Sequence, residues 1–575
     1  MIASMGVYGG PGKKDCNRPY HSSAAIDDAI HLANIGASEA AQNAALAISN
    51  NPSLTNEDRL RIEALRGRLL KDQARKMPEP ERLQTLLAAA RCYEKVADTY
   101  ESIFAGINAA SLFFICGRHA TSETLARRCL KQLCNMTAPL GPRERYFHQA
   151  TKAEAYLILN RQSRAEQSLC EAIAEAPTDY RSHATTLRQF ELISKHLGLG
   201  TDWLTLFRPP TVCHFAGNLD ALSHFCGETN NSPQALTETL AANRVGAGYG
   251  ALAAGADILV AEALLARGAD LNIILPCTAK LFKTISVDPF GRDWSARFDR
   301  CLDGAQSVML ATHDSSLSCN RALDLASTMA MGMAIEEADL HCSRAIQLTV
   351  AAGEESGAFT RRSRAAWSGA GRESFHLALD GKSSAFAASP RAAIPEQNRF
   401  MATMLFADIG GFGSLNDEQV TSCLEAIFDP LGDIINTHKI LPVHRASWGD
   451  GIFLVYESVQ HAAEIALRMQ EAFQTFDLTA YGLPETLALR IGGHYAPASF
   501  QQDPITGRPS VYGSQVSYAA RIEPETLPGS VFVSEHFAAA IRLYRGHDFV
   551  AYDTKQETTS EKAPGIRLFN LVRKS

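Results

Sequence analysis

The segment Met401–Ser414, MATMLFADIGGFGS, places one carboxylate between an apolar run and a group of glycines. Met401–Ala407 is predicted to form a strand that leads directly into Asp408, and a helix is predicted from about Leu415. This arrangement suits a metal–phosphate complex, because the carboxylate can hold a cation while free backbone N–H groups bind phosphates. The candidate N–H donors belong to Ile409, Gly410, Gly411 and Phe412.

A second carboxylate, Asp450, lies in a Gly-Asp-Gly turn between the apolar runs Ile440–Val443 and Ile452–Tyr456. This pattern predicts a β-hairpin with Asp450 at its tip. If the hairpin pairs with the first strand, Asp450 comes close to Asp408, and such a pair suits two Mg²⁺ or Mn²⁺ ions. Spacing alone does not distinguish such a site from two aspartates in surface turns.

Four ordered motifs surround these residues. They are FADIGGF (406–412), SWGDGIFLVY (447–456), LRIGGHYAPA (489–498) and VYGSQVSYAARIE (511–523). Together they resemble the catalytic domain of class III adenylyl and guanylyl cyclases over residues 399–572. The resemblance implies an α+β, ferredoxin-like βαββαβ core that works as a homodimer, with sites between subunits. It also implies two Mg²⁺ or Mn²⁺ ions per site, bound by Asp408 and Asp450.

The resemblance assigns further roles one position at a time. Ser517 stands where the family usually has an Asn that orients the ribose, and Arg521 matches an Arg that stabilises charge on the α-phosphate. We expect both on one face of a helix that starts near Gly513, because they stand at i and i+4. Arg490 matches an arginine that contacts the polyphosphate, and Lys562 stands before GIRLFNLV, where the family places a lysine that binds the terminal phosphates.

The positions that recognise the base depart from both family patterns. Adenylyl cyclases typically have a Lys where this chain has Ala446, and an Asp or Thr where it has Ser510. The Glu and Cys of guanylyl cyclases are absent at these positions. We expect neighbouring Arg445 to point to the opposite strand face. A pocket of small residues also fits a pyrimidine, as in the cyclases of phage-defence systems. The expected order of substrates is ATP, then UTP or CTP, then GTP.

The reaction that the resemblance implies is intramolecular: the ribose 3′-hydroxyl attacks the α-phosphorus, and pyrophosphate leaves. Catalysis would then rest on positioning and on charge neutralisation. Two alternatives stay open. The domain could bind nucleotides without turnover, which Ser517 and Ala446 favour, or the chain could act as a scaffold.

The rest of the chain suggests a multidomain protein. We predict a flexible N-terminus (1–22), an all-α repeat array (23–204), a central α/β domain (205–380), a linker (381–397) and the cyclase-like domain (398–575). QATKAEAYLILNRQSRAEQSLCEAIAEAP in the array resembles tetratricopeptide helix pairs, whose surfaces take protein partners. Its period is imperfect, so an irregular array of helical hairpins is the alternative.

In the central domain, apolar runs alternate with helical ones, which predicts a parallel sheet. The strand candidates are 272–276, 307–311, 346–351 and 375–379. GAGYGALAAGADILVAEALLARGADLNIILP resembles the SLOG group of Rossmann-like nucleotide-sensing domains. The resemblance implies a glycine-rich turn within Gly246–Asp257, a helix that carries Glu262, and a nucleotide-derived ligand. A structural spacer is the alternative.

Composition narrows the function further. The 575 residues carry a net charge of -7, which excludes a chain-wide basic surface for nucleic acid. No apolar stretch is long enough to span a membrane, and the N-terminus does not resemble a signal peptide. Thirteen cysteines are scattered without metal-binding spacing, which is typical of reduced thiols in a cytoplasmic protein.

Overall fold

A computed structural model describes residues 20–75, 77–136, 140–217, 234–312, 320–352, 358–379, 399–544, 549–558 and 565–574. The chain divides into two compact units. One extends to Pro209 and includes Leu340–Cys342, and the other begins at Pro210. The predicted linker 381–397 and most of the predicted flexible N-terminus lie outside the described residues, so the predicted domain boundaries stay predictions.

The first unit is helical, as predicted. Its helices are α1 (Tyr20–Asn34), α2 (Ser38–Ser49), α3 (Asn56–Ala74), α4 (Glu81–Tyr100), α5 (Ile103–Ile115), α6 (His119–Cys134), α7 (Pro142–Ile158), α8 (Gln162–Glu175) and α9 (Tyr180–His196). Small residues allow consecutive helices to pack closely, as at Gly106, where an added Cβ would lie 2.9 Å from Cys129 Sγ. The tetratricopeptide resemblance stays a prediction.

The second unit contains two sheets. The first has six strands: β1 (Thr211–Gly217), β2 (Val245–Gly250), β3 (Asp270–Leu275), β4 (Ser307–Leu310), β5 (Ala345–Ala352) and β6 (Ser374–Leu379). Their order is β4-β3-β2-β1-β5-β6, and all neighbours are parallel. The helices of this part are α10 (Gln234–Ala242), α11 (Ala256–Ala266), α12 (Ala279–Ser286), α13 (Arg292–Asp303), α14 (Asn320–His341) and α15 (Ala358–Gly369). The predicted parallel sheet and its four strand candidates are confirmed.

The turn predicted within Gly246–Asp257 lies at 251–255, between strand β2 and helix α11. Gly246–Gly250 are not part of it, because these residues lie in β2. Their glycines serve close packing. An added Cβ would lie 2.4 Å from Pro210 at Gly246, 2.3 Å from Leu264 at Gly248 and 2.5 Å from Phe215 at Gly250. Helix α11 starts only after Gly255, whose φ of 95° favours glycine.

Glu262 on α11 forms a structural ion pair. Its carboxylate accepts hydrogen bonds of 2.8 and 2.6 Å from Arg297, whose guanidinium lies 4.1 Å from the centre of the Trp294 ring. Arg297 therefore occupies both oxygens of the residue that the SLOG resemblance singles out. The Rossmann-like ligand-sensing assignment stays a prediction.

The second sheet has eight strands: β7 (Arg399–Gly410), β8 (His444–Trp448), β9 (Gly451–Tyr456), β10 (Ala488–Gln502), β11 (Pro509–Tyr512), β12 (Val531–Ser534), β13 (Phe549–Glu557) and β14 (Arg567–Arg573). The order is β13-β14-β12-β10-β7-β9-β8, with β11 paired to β10. The helices are α16 (Asp417–Cys423), α17 (Asp429–Thr437), α18 (Val459–Phe473), α19 (Ser514–Ala519) and α20 (Glu535–Arg542). None of the described helices has both the length and the apolarity to cross a membrane.

A strand and a helix of this part of the chain begin later than the sequence predicts. The first hairpin strand is β8, not Ile440–Val443, and Leu441 in that apolar run is 53% exposed. The helix expected from Leu415 begins at Asp417, because a 3₁₀ turn (Phe412–Ser414) comes first and the Asn416 side chain caps α16 through Gln419 N.

Candidate active site

Asp408 and Arg490 face each other on the two central strands. They are directly paired in the β7–β10 ladder, and Arg490 Nη2 donates a hydrogen bond of 2.6 Å to Asp408 Oδ2. Ala407 and Ile409, on either side of Asp408, are buried in the core beneath α18. Because side chains alternate along a strand, Asp408 projects from the opposite face of the sheet.

Asp450 reaches Asp408 because strand β9 pairs with β7. Ala407 lies opposite Ile452 in that ladder, so the β8–β9 turn comes next to Asp408. Burial raises the pKa of Asp450, and the negative charge of Asp408 raises it further. The hairpin therefore brings the two predicted carboxylates together.

A third carboxylate, Glu523, is part of the site and was not predicted. Its Oε1 atom lies 2.9 Å from Nη2 of Arg490, within ion-pair distance but without the geometry of a hydrogen bond. Burial raises the pKa of Glu523 to about 7, although Arg490 opposes this shift. The sequence signal is Gly492, where an added Cβ would lie 2.5 Å from Glu523 N, so only glycine allows this close approach.

The donor set fits a divalent cation. Two neighbouring carboxylates repel each other, and a cation between them would remove that repulsion. No cluster of three or more His, Cys, Asp or Glu ligands occurs in the described ranges. Asp408 and Asp450 would therefore supply only part of a coordination shell. This is typical of Mg²⁺ sites, where water and substrate phosphates provide the remaining oxygens.

The predicted phosphate-binding backbone is partly taken up by the sheet. Ile409 and Gly410 lie within β7, opposite Leu489 and Ala488, because the strand continues past Asp408. Gly411 and Phe412 lie beyond the strand, and Gly411 turns the chain with a φ of 92°.

The prediction that Ser517 and Arg521 lie on one helix is wrong. Helix α19 ends at Ala519, and the N–H of Arg521 bonds to Tyr518 O in the turn that follows. Ser517 is exposed and Arg521 is half-buried. Neither side chain has a hydrogen-bond or ion-pair partner within the part of the chain that the structure describes.

The two base-recognition candidates are not brought together within one chain. Ala446 lies opposite Phe453 in the β8–β9 ladder and belongs to a hydrophobic cluster on the sheet face that carries Asp408. Ser510 precedes Val511 in β11, so its side chain points to the other face of the hairpin.

Arg445 points away from the face that carries Asp408, as predicted, and donates a hydrogen bond to Asn436 of α17. Lys562 lies outside the described residues.

The part of the chain that contains these residues is similar to known proteins. Residues 394–561 match the family model described as "Adenylate and Guanylate cyclase catalytic domain". Guanylate cyclase 2G of Rattus norvegicus is 30% identical over 176 residues, which cover 28% of this chain and 15% of that protein. The chain thus spans only a small part of this curated relative.

Solved cyclase domains are also similar to about a third of the chain. The adenylyl cyclase CyaB from P. aeruginosa is 17% identical, with coverage of 31% of this chain and 96% of that one, at a TM-score of 0.28. The guanylate cyclase domain of RhGC from Catenaria anguillulae is 19% identical, with coverage of 31% and 99%, at a TM-score of 0.26. The family model and the curated relative together identify residues 394–561 as a class III adenylyl and guanylyl cyclase catalytic domain.

Proposed function

We propose that this nucleotidyl cyclase converts ATP to the 3′,5′-cyclic nucleotide and pyrophosphate. One observation carries the proposal: Asp408 lies beside both Asp450 and Arg490 on one face of the sheet. Two acidic oxygen ligands next to an arginine suit a triphosphate that arrives with divalent cations.

The chain's own residues would bind and orient the substrate. Arg490 binds the polyphosphate, and the backbone N–H groups at Gly411 and Phe412 face the phosphates. Ser517 orients the ribose, and Arg521 stabilises the charge that develops on the α-phosphate when the 3′-hydroxyl attacks. Two Mg²⁺ or Mn²⁺ ions, held by Asp408 and Asp450, would lower the pKa of that hydroxyl and neutralise the triphosphate.

The small side chain at Ala446 supports a second candidate substrate. Arg445 is engaged with Asn436, so neither residue offers a hydrogen bond to a base from this stretch of β8. A pocket of this kind also accommodates UTP or CTP. We rank ATP first because the Ser510 hydroxyl can both donate and accept.

The site would be shared between two copies of the chain, so that Asp408 and Asp450 of one subunit work with Ser517 and Arg521 of the other. The unpaired Ser517 and Arg521 side chains of the described chain support this arrangement. We further propose a cytoplasmic enzyme whose helical array takes a protein partner and whose central domain takes a nucleotide-derived ligand, both regulating turnover.

A mixing experiment tests the shared site. Asp408→Ala and Arg521→Ala chains carrying different tags are co-expressed, and the mixed dimer is purified through both tags. Each single variant is expected to be inactive, whereas the mixed dimer has one intact site and should recover up to half of the wild-type activity. A mixed dimer as inactive as its parents would contradict the shared site.

A further inference from the structure

The central parallel sheet contacts the cyclase domain at the end of strand β4. Two consecutive residues, Ala311 and Thr312, follow β4, and both are buried. His536 of α20 lies with Nε2 2.9 Å from Ala311 O, and Gln515 of α19 donates a hydrogen bond of 3.4 Å from Nε2 to Thr312 Oγ1. The two domains therefore meet through buried polar groups.

The two contacts join at His494 of strand β10. Its Nε2 donates a hydrogen bond of 3.0 Å to Gln515 Oε1, and its Nδ1 accepts one of 2.8 Å from the Ser534 hydroxyl. The His494 and His536 rings meet edge to face, with centroids 5.0 Å apart. All of these side chains are buried, and hydrogen bonds in one buried network strengthen one another.

The direction of each hydrogen bond is fixed by its neighbour. Burial lowers the pKa of His494 to about 3, so the ring is neutral near pH 7 and carries one N–H. That N–H points to Gln515 Oε1, which turns the Gln515 amide group toward Thr312. Removing one partner would leave a buried polar group without a hydrogen bond, which lowers the stability of the folded state.

Close packing supports the same junction. Gly332 of α14 lies so near to α20 that an added Cβ would come 2.3 Å from Ala539 O. Arg542 forms an ion pair of 3.2 Å with Glu336 of α14, and both side chains are largely buried. Arg372 donates hydrogen bonds of 2.9 and 2.8 Å to the carbonyls of Leu543 and Arg542 at the end of α20.

We propose that Thr312 of the central domain is a positioning residue for the cyclase site, acting through Gln515 on helix α19. Gln515 lies two residues before Ser517 on that helix, and Arg521 follows the helix end. Displacement of Thr312 would move α19 and change how Ser517 and Arg521 meet the substrate. The central domain would thereby set the turnover of the cyclase, and this inference rests on the proposed function.

Thr312→Val in the full-length chain tests the proposal, because it keeps the shape of the side chain and removes the hydroxyl. We expect kcat to fall about three- to tenfold with KM for the triphosphate nearly unchanged, since the affected residues act on the transition state. Thr312→Ser keeps the hydroxyl and should restore most of the turnover. Thr360→Val, at another buried threonine of the central domain, is the matched control and should leave kcat unchanged.

Hydrogen exchange gives a readout that does not depend on activity. The amides of Ser514–Ala519 should exchange faster in Thr312→Val than in the wild type, and Thr312→Ser should resemble the wild type. Unchanged exchange in α19 would overturn the proposal whether or not the wild type is active. Faster exchange with unchanged kcat would also overturn it. A wild type without cyclic product would refute the proposed function, and exchange would then decide the coupling alone.

Discussion

Arg490 lies directly opposite Asp408 across two central strands, and its Nη2 atom bonds to Asp408 Oδ2 at 2.6 Å. The Oε1 atom of Glu523 lies 2.9 Å from the same Nη2 atom. If Asp408 binds a cation as proposed, Glu523 would be the residue that holds Arg490 in place. The two carboxylates therefore have different expected roles, which mutation can separate.

Asp408→Asn and Asp450→Asn should each abolish most turnover. The amide loses the negative charge that a divalent cation needs, so we expect kcat to fall by about 10²-fold or more. The measurement is cyclic product formed with Mn²⁺, alongside thermal unfolding to confirm the fold. Asp417→Asn, at an exposed aspartate in the first turn of α16, should behave like the wild type. Turnover within twofold of the wild type in either site variant would refute the metal assignment.

Glu523→Gln should weaken substrate binding more than chemistry. Arg490 would lose one of its two charged partners, so its orientation toward the polyphosphate is less defined. We expect KM for the triphosphate to rise about threefold to tenfold, with a smaller change in kcat. Glu485→Gln, at an exposed glutamate, provides the control. An unchanged KM would show that Glu523 does not hold Arg490 during catalysis.

Asp257 should make the folded protein less stable as pH rises. Burial raises the pKa of this carboxyl from 3.8 to about 7. The native state therefore holds a proton that the unfolded chain releases, and stability is lost between about pH 4 and pH 7. Asp257→Asn should remove a pH-dependent contribution of roughly 2–4 kcal/mol across this window. Unfolding free energies measured at several pH values check this, and parallel profiles for the two proteins would contradict it.

Ser517→Asn should increase turnover. Serine has a shorter reach than the asparagine that the family usually has at this position, so the longer amide should orient the ribose better. We expect kcat to rise several-fold, with no loss of thermal stability because Ser517 is exposed. Steady-state kinetics with Mn²⁺ provide the test, and a fall in kcat would show that the site is built around the serine.

The sequence was informative where contacts are local. Asp408 and Asp450 could be related because a tight hairpin connects β8 to β9 and β9 pairs with β7. Glu523 was missed because its contact with Arg490 depends on a turn that packs across Gly492.

Long-range packing explains the other differences. Gly246–Asp257 has the pattern of an anion-binding turn, but its first three glycines lie in a strand. Pro210, Phe215 and Leu264 pack against them from separate elements. Thr312 and Gln515 are 203 residues apart, and no periodicity in the sequence connects them.

The most direct test of the central claim incubates the full-length protein separately with ATP, UTP, CTP and GTP in the presence of Mn²⁺. Pyrophosphate and the cyclic nucleotide are measured together, with Asp408→Asn as the blank. We predict equal amounts of both products from at least one triphosphate, with ATP the best substrate and no product from the variant. Absence of cyclic product from all four triphosphates would contradict the account and favour a domain that binds nucleotides without turning them over.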